Sequence, residues 1–109
     1  QKFIKVRSKE FKKRRDFVVS SLNKIKGITC LTPNGAFYVF PSCQKLLGKK
    51  TKLKTDSEFV EKLLEKANVA VVQGSAFGLP GYFRISYATS MQKLKIAMER
   101  IKSFCNSLD

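Results

Sequence analysis

Chemistry has few places to reside in this sequence. None of its 109 residues is a histidine. That removes the commonest general base, the usual partner of a serine or cysteine nucleophile, and the usual nitrogen ligand for zinc. Cys30, Cys43 and Cys105 are odd in number and widely spaced, which fits neither a disulfide framework nor a paired-thiolate zinc knuckle. They read as reduced thiols, and no metal site is expected. Arg84 stands out, inside Tyr82-Phe83-Arg84-Ile85-Ser86-Tyr87-Ala88. Strand alternation puts Phe83, Ile85 and Tyr87 on one face and Tyr82, Arg84, Ser86 and Ala88 on the other. A planar guanidinium there can hold both oxygens of a carboxylate through two parallel, charge-assisted hydrogen bonds. Taken alone, the run fits better a surface ion pair with a neighbouring acid, worth about 0 to 1 kcal/mol.

Other candidates are weaker. The loop from Gly74 to Gly81 is rich in glycine, but it leads into a strand and not into a helix amino terminus, where free amides would face an anion. It reads as a sharp connection. Gly35, beside Asn34, serves a turn that needs permissive backbone angles. Phe37, Tyr38, Phe40 and Phe77 read as core.

The elements that must position these residues follow from periodicity. Up to about Lys26, Ile4, Phe11, Val18, Leu22 and Ile25 recur at spacings of seven, seven, four and three, one stripe of a long amphipathic helix. Gly27 is placed to end it in a left-handed conformation. Ile28 to Leu31 reads as a short strand, Pro33-Asn34-Gly35 as a turn, and Ala36 to Phe40 as a second strand closed by Pro41, together a hairpin. Residues 48 to 54 form a polar, lysine-rich surface loop.

Thr55-Asp56-Ser57-Glu58 matches a capping box and opens a helix carrying Phe59, Val60, Leu63, Leu64 and Ala67, which Asn68 can end. Val69 to Val72 is a strand, apolar throughout and so expected to be buried on both faces. Tyr82 to Ala88 is the fourth strand. Thr89-Ser90-Met91-Gln92 is a second capping-box match before a helix with Leu94, Ala97, Met98, Ile101 and Cys105 on one face. The order α-β-β-α-β-β-α predicts an α+β (α/β) fold, a small mixed sheet of about four strands with helices packed on it.

Composition bounds the whole. Residues 1–109 suffice for one compact domain with a modest core, and an apolar share of 43% is ordinary for a globular chain. No apolar run reaches membrane-spanning length, and the start, Gln1-Lys2-Phe3-Ile4-Lys5, lacks the layout of a secretory signal. A soluble cytoplasmic protein is expected. The net charge of +14 invites a nucleic-acid reading, a stand-alone basic module using Lys9 to Arg15 and Lys45 to Lys54. Against it, the first cluster interleaves with apolar helix positions, and no aromatic-plus-arginine surface for base stacking is evident. A third possibility is a domain that folds without chemistry of its own.

Two segments go further than propensity: Asn34-Gly35-Ala36-Phe37-Tyr38-Val39-Phe40-Pro41, and Val71-Val72-Gln73-Gly74-Ser75-Ala76-Phe77-Gly78 running into Phe83-Arg84-Ile85-Ser86-Tyr87-Ala88. Their order and separation resemble the carboxyl-terminal small domain of class I (fold type I) pyridoxal-phosphate aminotransferases. The phrase from Phe17-Val18-Val19 to Pro41 is similar to bacterial aspartate aminotransferases. The resemblance runs from about Phe11 to Leu108.

It implies a parent enzyme that exchanges an amino group between an amino acid, such as aspartate or glutamate, and a 2-oxo acid. It also implies that Arg84 matches the arginine that binds the substrate α-carboxylate, and that the small domain closes over the substrate. The lysine that takes the pyridoxal 5'-phosphate covalently, and the groups that hold its ring and phosphate, belong in such enzymes to the large domain. No lysine here lies in a matching segment, so this chain, as the small domain without the large one, is expected to be inactive alone. Family members are homodimers.

Overall fold

The computed structural model describes residues 2–31, 37–48 and 52–108, with side chains from Lys9 onward. The first helix, α1, spans Lys2–Asn23. Val18, Val19 and Leu22 are buried along its last turns, with Ile25 just beyond, and Phe11 packs against this core. The helix stops at Asn23, four residues before Gly27. Gly27 lies in the following turn at φ +92°, and a Cβ there would strike the Leu46 side chain. It therefore serves a close approach and a left-handed turn, not the helix stop expected of it.

The strand expected at Ile28 to Leu31 is reduced to one antiparallel bridge, Thr29 to Ser42. Thr29 spends both its N–H and its carbonyl on Ser42. On the opposite edge the Asn23 side chain stands in for a strand: its amide donates to the Cys30 carbonyl at 2.8 Å, and its carbonyl oxygen accepts from the Cys30 N–H at 2.7 Å, so Cys30 is satisfied there without a strand neighbour. The turn at Pro33-Asn34-Gly35, Ala36 and residues 49–51 of the lysine-rich loop lie outside the described residues.

Among the described residues the order is α-β-α-β-β-α, with three strands where about four were expected. Strand β1 is Tyr38–Val39, β2 is Val72–Gln73 and β3 is Phe83–Ser86, in spatial order β1-β3-β2. Both pairings are antiparallel, so the described sheet is not mixed. The β1 register, Tyr38 opposite Ser86 and Val39 opposite Ile85, carries on beyond the strand. Tyr87 N–H donates to the Phe37 carbonyl, Phe83 N–H to the Pro41 carbonyl, and Ser42 bridges Tyr82. Pro41, which has no N–H, interrupts this edge without ending it.

Val69 to Val72 is not buried on both faces. Only Val69 is buried, Ala70 is exposed, and the strand itself begins at Val72. The sheet's edge runs here, so continuous apolar character does not mean two covered faces.

Helix α2, Asp56–Ala67, starts where the capping pattern places it, with Thr55 Oγ1 accepting from Glu58 N–H at 3.2 Å. Asn68, left-handed at φ 57°, ends it. Helix α3, Met91–Asn106, is capped by Ser90 Oγ, which accepts from Lys93 N–H at 3.2 Å. The cap sits one residue later than the Thr89 to Gln92 match implies.

Helix α3 packs against both α1 and α2. Phe59 of α2 joins Phe83 of β3, ring centroids 5.2 Å apart, and Phe104 of α3 at 5.6 Å. The helices therefore cover the sheet face that carries Phe83 and Ile85, and the core lies between the two layers. None of the helices is long and apolar enough to cross a membrane, among the described residues.

Candidate functional site

Alternation in β3 holds as the sequence requires. Phe83, Ile85 and Tyr87 are buried, while Arg84 is half-buried and Ser86 exposed on the opposite face. The Arg84 guanidinium carbon lies over two aromatic rings, 4.9 Å from the Tyr38 centroid and 4.6 Å from that of Phe77. Tyr38 reaches it diagonally across the β1–β3 ladder, a separation that aromatic side chains span. Phe77 comes from a 3-10 turn, Gly74–Phe77, that follows β2. Phe40 packs edge-on against both rings, at 5.6 Å to Tyr38 and 5.9 Å to Phe77.

The expectation that these aromatics are core is overturned. Phe77 is 46% exposed and Tyr38 38% exposed, and Phe37, also exposed, meets Phe11 edge-on at 5.1 Å. Phe37 thus lies on the helix side, while Tyr38, Phe40 and Phe77 gather on the opposite face of the sheet, and there the rings become a seat for a cation. Ring faces attract a guanidinium through their quadrupole, a contact worth about 0.5 to 2 kcal/mol. It does not consume the N–H donors.

Among the described residues no carboxylate pairs with Arg84; the ion pairs are Arg14 with Glu10, Arg15 with Asp16 and Lys62 with Glu65. A held, half-buried guanidinium with its donors uncommitted can receive an external carboxylate in bidentate fashion.

The loop that carries Phe77 is built around two features. Gly74 donates to the Tyr82 carbonyl at 2.7 Å, and its own carbonyl accepts from Leu79 N–H at 2.8 Å. A Cβ on Gly74 would run into the Leu79 carbonyl oxygen and the Tyr82 carbonyl. The second feature is Asp56, the first residue of α2, buried at 3% exposure. Its Oδ2 accepts from Ser75 N–H at 2.8 Å, and the Ser75 hydroxyl and the Gly81 amide are further donors in its surroundings. Burial alone would raise its pKa, but these donors outweigh burial and hold the carboxyl below its ordinary value. Sequence reasoning saw Asp56 only as part of a cap. A buried acid in the first turn of a helix carries no local signal of a partner 19 residues away.

The remaining candidates resolve simply. Cys30, Cys43 and Cys105 are free and buried. Burial pushes Cys30 up to about 11 and Cys43 and Cys105 up to about 12, so they stay as thiols at neutral pH. No group of three His, Cys, Asp or Glu side chains suited to a metal occurs among the described residues. In the first basic cluster, Arg14 and Arg15 are drawn into pairs with Glu10 and Asp16. Two open grooves of about 560 and 630 Å³ lie along α3 and include neither Arg84 nor its rings. Their charged residues, such as Lys66, Glu99 and Arg100, are exposed, so neither offers the convergent polar set of a built site.

Comparison with known proteins gives this arrangement a context. The chain is 54% identical to the aspartate aminotransferase of Rhizobium meliloti (strain 1021), covering 99% of this chain and 27% of that protein. It is 47% identical to the aspartate/prephenate aminotransferase of Cereibacter sphaeroides, over 99% of this chain and 28% of that one. The crystal structure of a Rhizobium meliloti aspartate aminotransferase superposes with a TM-score of 0.96 at 53% identity, covering all of this chain and 28% of its own. Alanine aminotransferase from Pyrococcus furiosus follows at 0.88 and 37% identity, over 97% of this chain and 26% of that one. The chain thus spans little more than a quarter of the relatives it matches. The model of the family "Aminotransferase class I and II" matches residues 1–101, and with the sheet and helices laid out as in those solved relatives, the chain belongs to that family.

Proposed function

We propose that residues 1–109 are the small domain of a pyridoxal-phosphate-dependent aminotransferase, in which Arg84 binds the α-carboxylate shared by the amino-acid and 2-oxo-acid substrates. The observation that carries this reading is the uncommitted guanidinium held between Tyr38 and Phe77. Substrates that share one carboxylate and differ in side chain are served by a site that fixes the carboxylate and leaves the rest to other contacts. Two parallel hydrogen bonds fix both position and plane, which is what orients the reacting carbon. Names of the relatives support aspartate as one substrate.

Pyridoxal phosphate, when bound, supplies the electron sink for amino transfer. The side chains gathered at Arg84 include neither a primary amine nor a carboxylate, so they fit the substrate's acid group and not the cofactor. The cofactor's own contacts belong to the remaining three quarters of the fold. This domain then grips the carboxylate and, on closing against that larger part, excludes water from the reacting centre. The intact enzyme is a cytoplasmic homodimer in this reading. Three free cysteines support a reducing compartment.

The test is Arg84→Lys in the complete enzyme. A single ammonium cannot reproduce the fork, and loss of a charge-assisted bond lowers kcat/KM for L-aspartate roughly tenfold to a hundredfold, mainly through KM. An unchanged KM would remove Arg84 from the site.

A further inference from the structure

We propose that Asp56 is a positioning residue for Arg84, acting through the loop that carries Phe77. This rests on the reading of Arg84 given above only where activity is the measurement. Phe77 is almost half exposed, so packing alone does not fix it; Phe40 touches it edge-on at 5.9 Å. Besides the backbone bonds at Gly74, what ties the loop to α2 is one buried carboxylate at that helix's start. Its Oδ2 accepts from Ser75 N–H at 2.8 Å, two residues before Phe77. The start of the loop is therefore tied to α2 by that carboxylate. A second tie, Ser57 Oγ to Ser75 Oγ at 3.4 Å, secures the same helix end to the same residue.

Phe77 follows this anchor by two residues, and its ring covers the guanidinium at 4.6 Å. Through Phe77, the α2 amino terminus sets how firmly one of the two walls around Arg84 stands. Tyr38, on β1, is held by the sheet register and does not depend on Asp56. Loss of Asp56 therefore loosens one wall and leaves the other.

The substitution Asp56→Asn keeps the volume but removes the charge and one acceptor oxygen. The complete enzyme, labelled with 15N-arginine, gives a readout independent of activity. The Arg84 Nε–Hε resonance is assigned by its loss in Arg84→Lys, and Phe77→Leu defines the shift caused by removing one ring. Asp56→Asn is expected to move that resonance in the same direction as Phe77→Leu. If it stays at the wild-type position, the inference is overturned.

In kinetics with L-aspartate, Asp56→Asn raises KM roughly threefold to tenfold, the range of a weakened ring contact. A fall in kcat per mole of protein at constant KM, the sign of lost folded enzyme alone, overturns it. The double variant Asp56→Asn/Phe77→Leu is expected to have the KM of Phe77→Leu, because both changes act on one wall. Multiplying effects overturn it. Should Asp56→Asn not fold, Asp56→Glu, which keeps the charge and displaces the carboxylate by one methylene, is read in the same way. If the resonance moves as expected while Arg84→Lys leaves KM unchanged, the carboxylate role of Arg84 fails and the positioning by Asp56 stands.

Discussion

The two faces of β3 are one residue step apart and work by different physics. Inward, Phe83 is fully buried against Phe59, with Ile85 and Tyr87 beside it. That face is held by removal of apolar surface from water and by close packing, and it needs nothing outside the chain. Outward, Arg84 rests on two exposed rings with its donors free, and Ser86 faces solvent. That face contributes little to folding and is arranged for something the chain does not contain. The same strand thus separates stability from function: the inner residues fix where the backbone lies, and the outer arginine uses that fixed position.

The separation can be broken most forcefully from the inside. Phe83→Ala leaves a cavity among Phe59 and its neighbours and is expected to cost about 3 to 5 kcal/mol, read from denaturant midpoints. A loss near zero would mean that the inner face does not carry the fold. Next comes Gly74→Ala, where the new Cβ meets backbone carbonyls of Leu79 and Tyr82 and not a flexible side chain. Overpacking against backbone costs about 1 to 3 kcal/mol. Because Gly74 opens the turn that ends in Phe77, this variant is also expected to weaken substrate binding, which Phe83→Ala does only by unfolding. Measuring KM on the folded fraction of each distinguishes the two.

Arg84 was legible in the sequence to the level of its face, because alternation in a strand is rigid and its neighbours Phe83 and Ile85 could only point inward. The capped starts of α2 and α3 and the stop at Asn68 were equally local and emerged as expected, apart from a one-residue shift to Ser90. What escaped was set by contacts that sequence spacing does not encode. At Ile28 to Leu31 only the Thr29 bridge to Ser42 forms, and on the other edge the Asn23 side chain, seven residues back, takes the Cys30 backbone groups in place of a strand. Tyr38 and Phe77 looked like core because hydrophobicity cannot tell which side of a three-stranded sheet the helices leave uncovered. Asp56 was hidden for a similar reason: its Ser75 donor comes from a loop 19 residues further along the chain.

That buried carboxylate gives the comparison a pH dependence. Asp56 has a folded pKa below its ordinary 3.8. Its contribution is therefore fully present above the unfolded value and is lost as pH falls through the lower folded one. Denaturant midpoints are expected to drop in that acid range for the wild type, and to drop less for Asp56→Asn, which has nothing there to protonate. Equal slopes would show that the hydrogen bonds from Ser75 and Gly81 do not favour the ionised form.

The smallest expected change is the most informative about the outer face. Arg84 has no carboxylate partner among the described residues, so replacing it strands no buried charge, and what disappears is its contact with Tyr38 and Phe77. Arg84→Lys keeps a cation near the rings and is expected to alter stability by less than about 1 kcal/mol, while kcat/KM falls by the far larger factor given above. A residue serving the fold would show the reverse, a large midpoint shift with activity following the folded fraction. The ratio of the two effects, measured on the same preparation, decides whether the strand divides its labour as its two faces indicate.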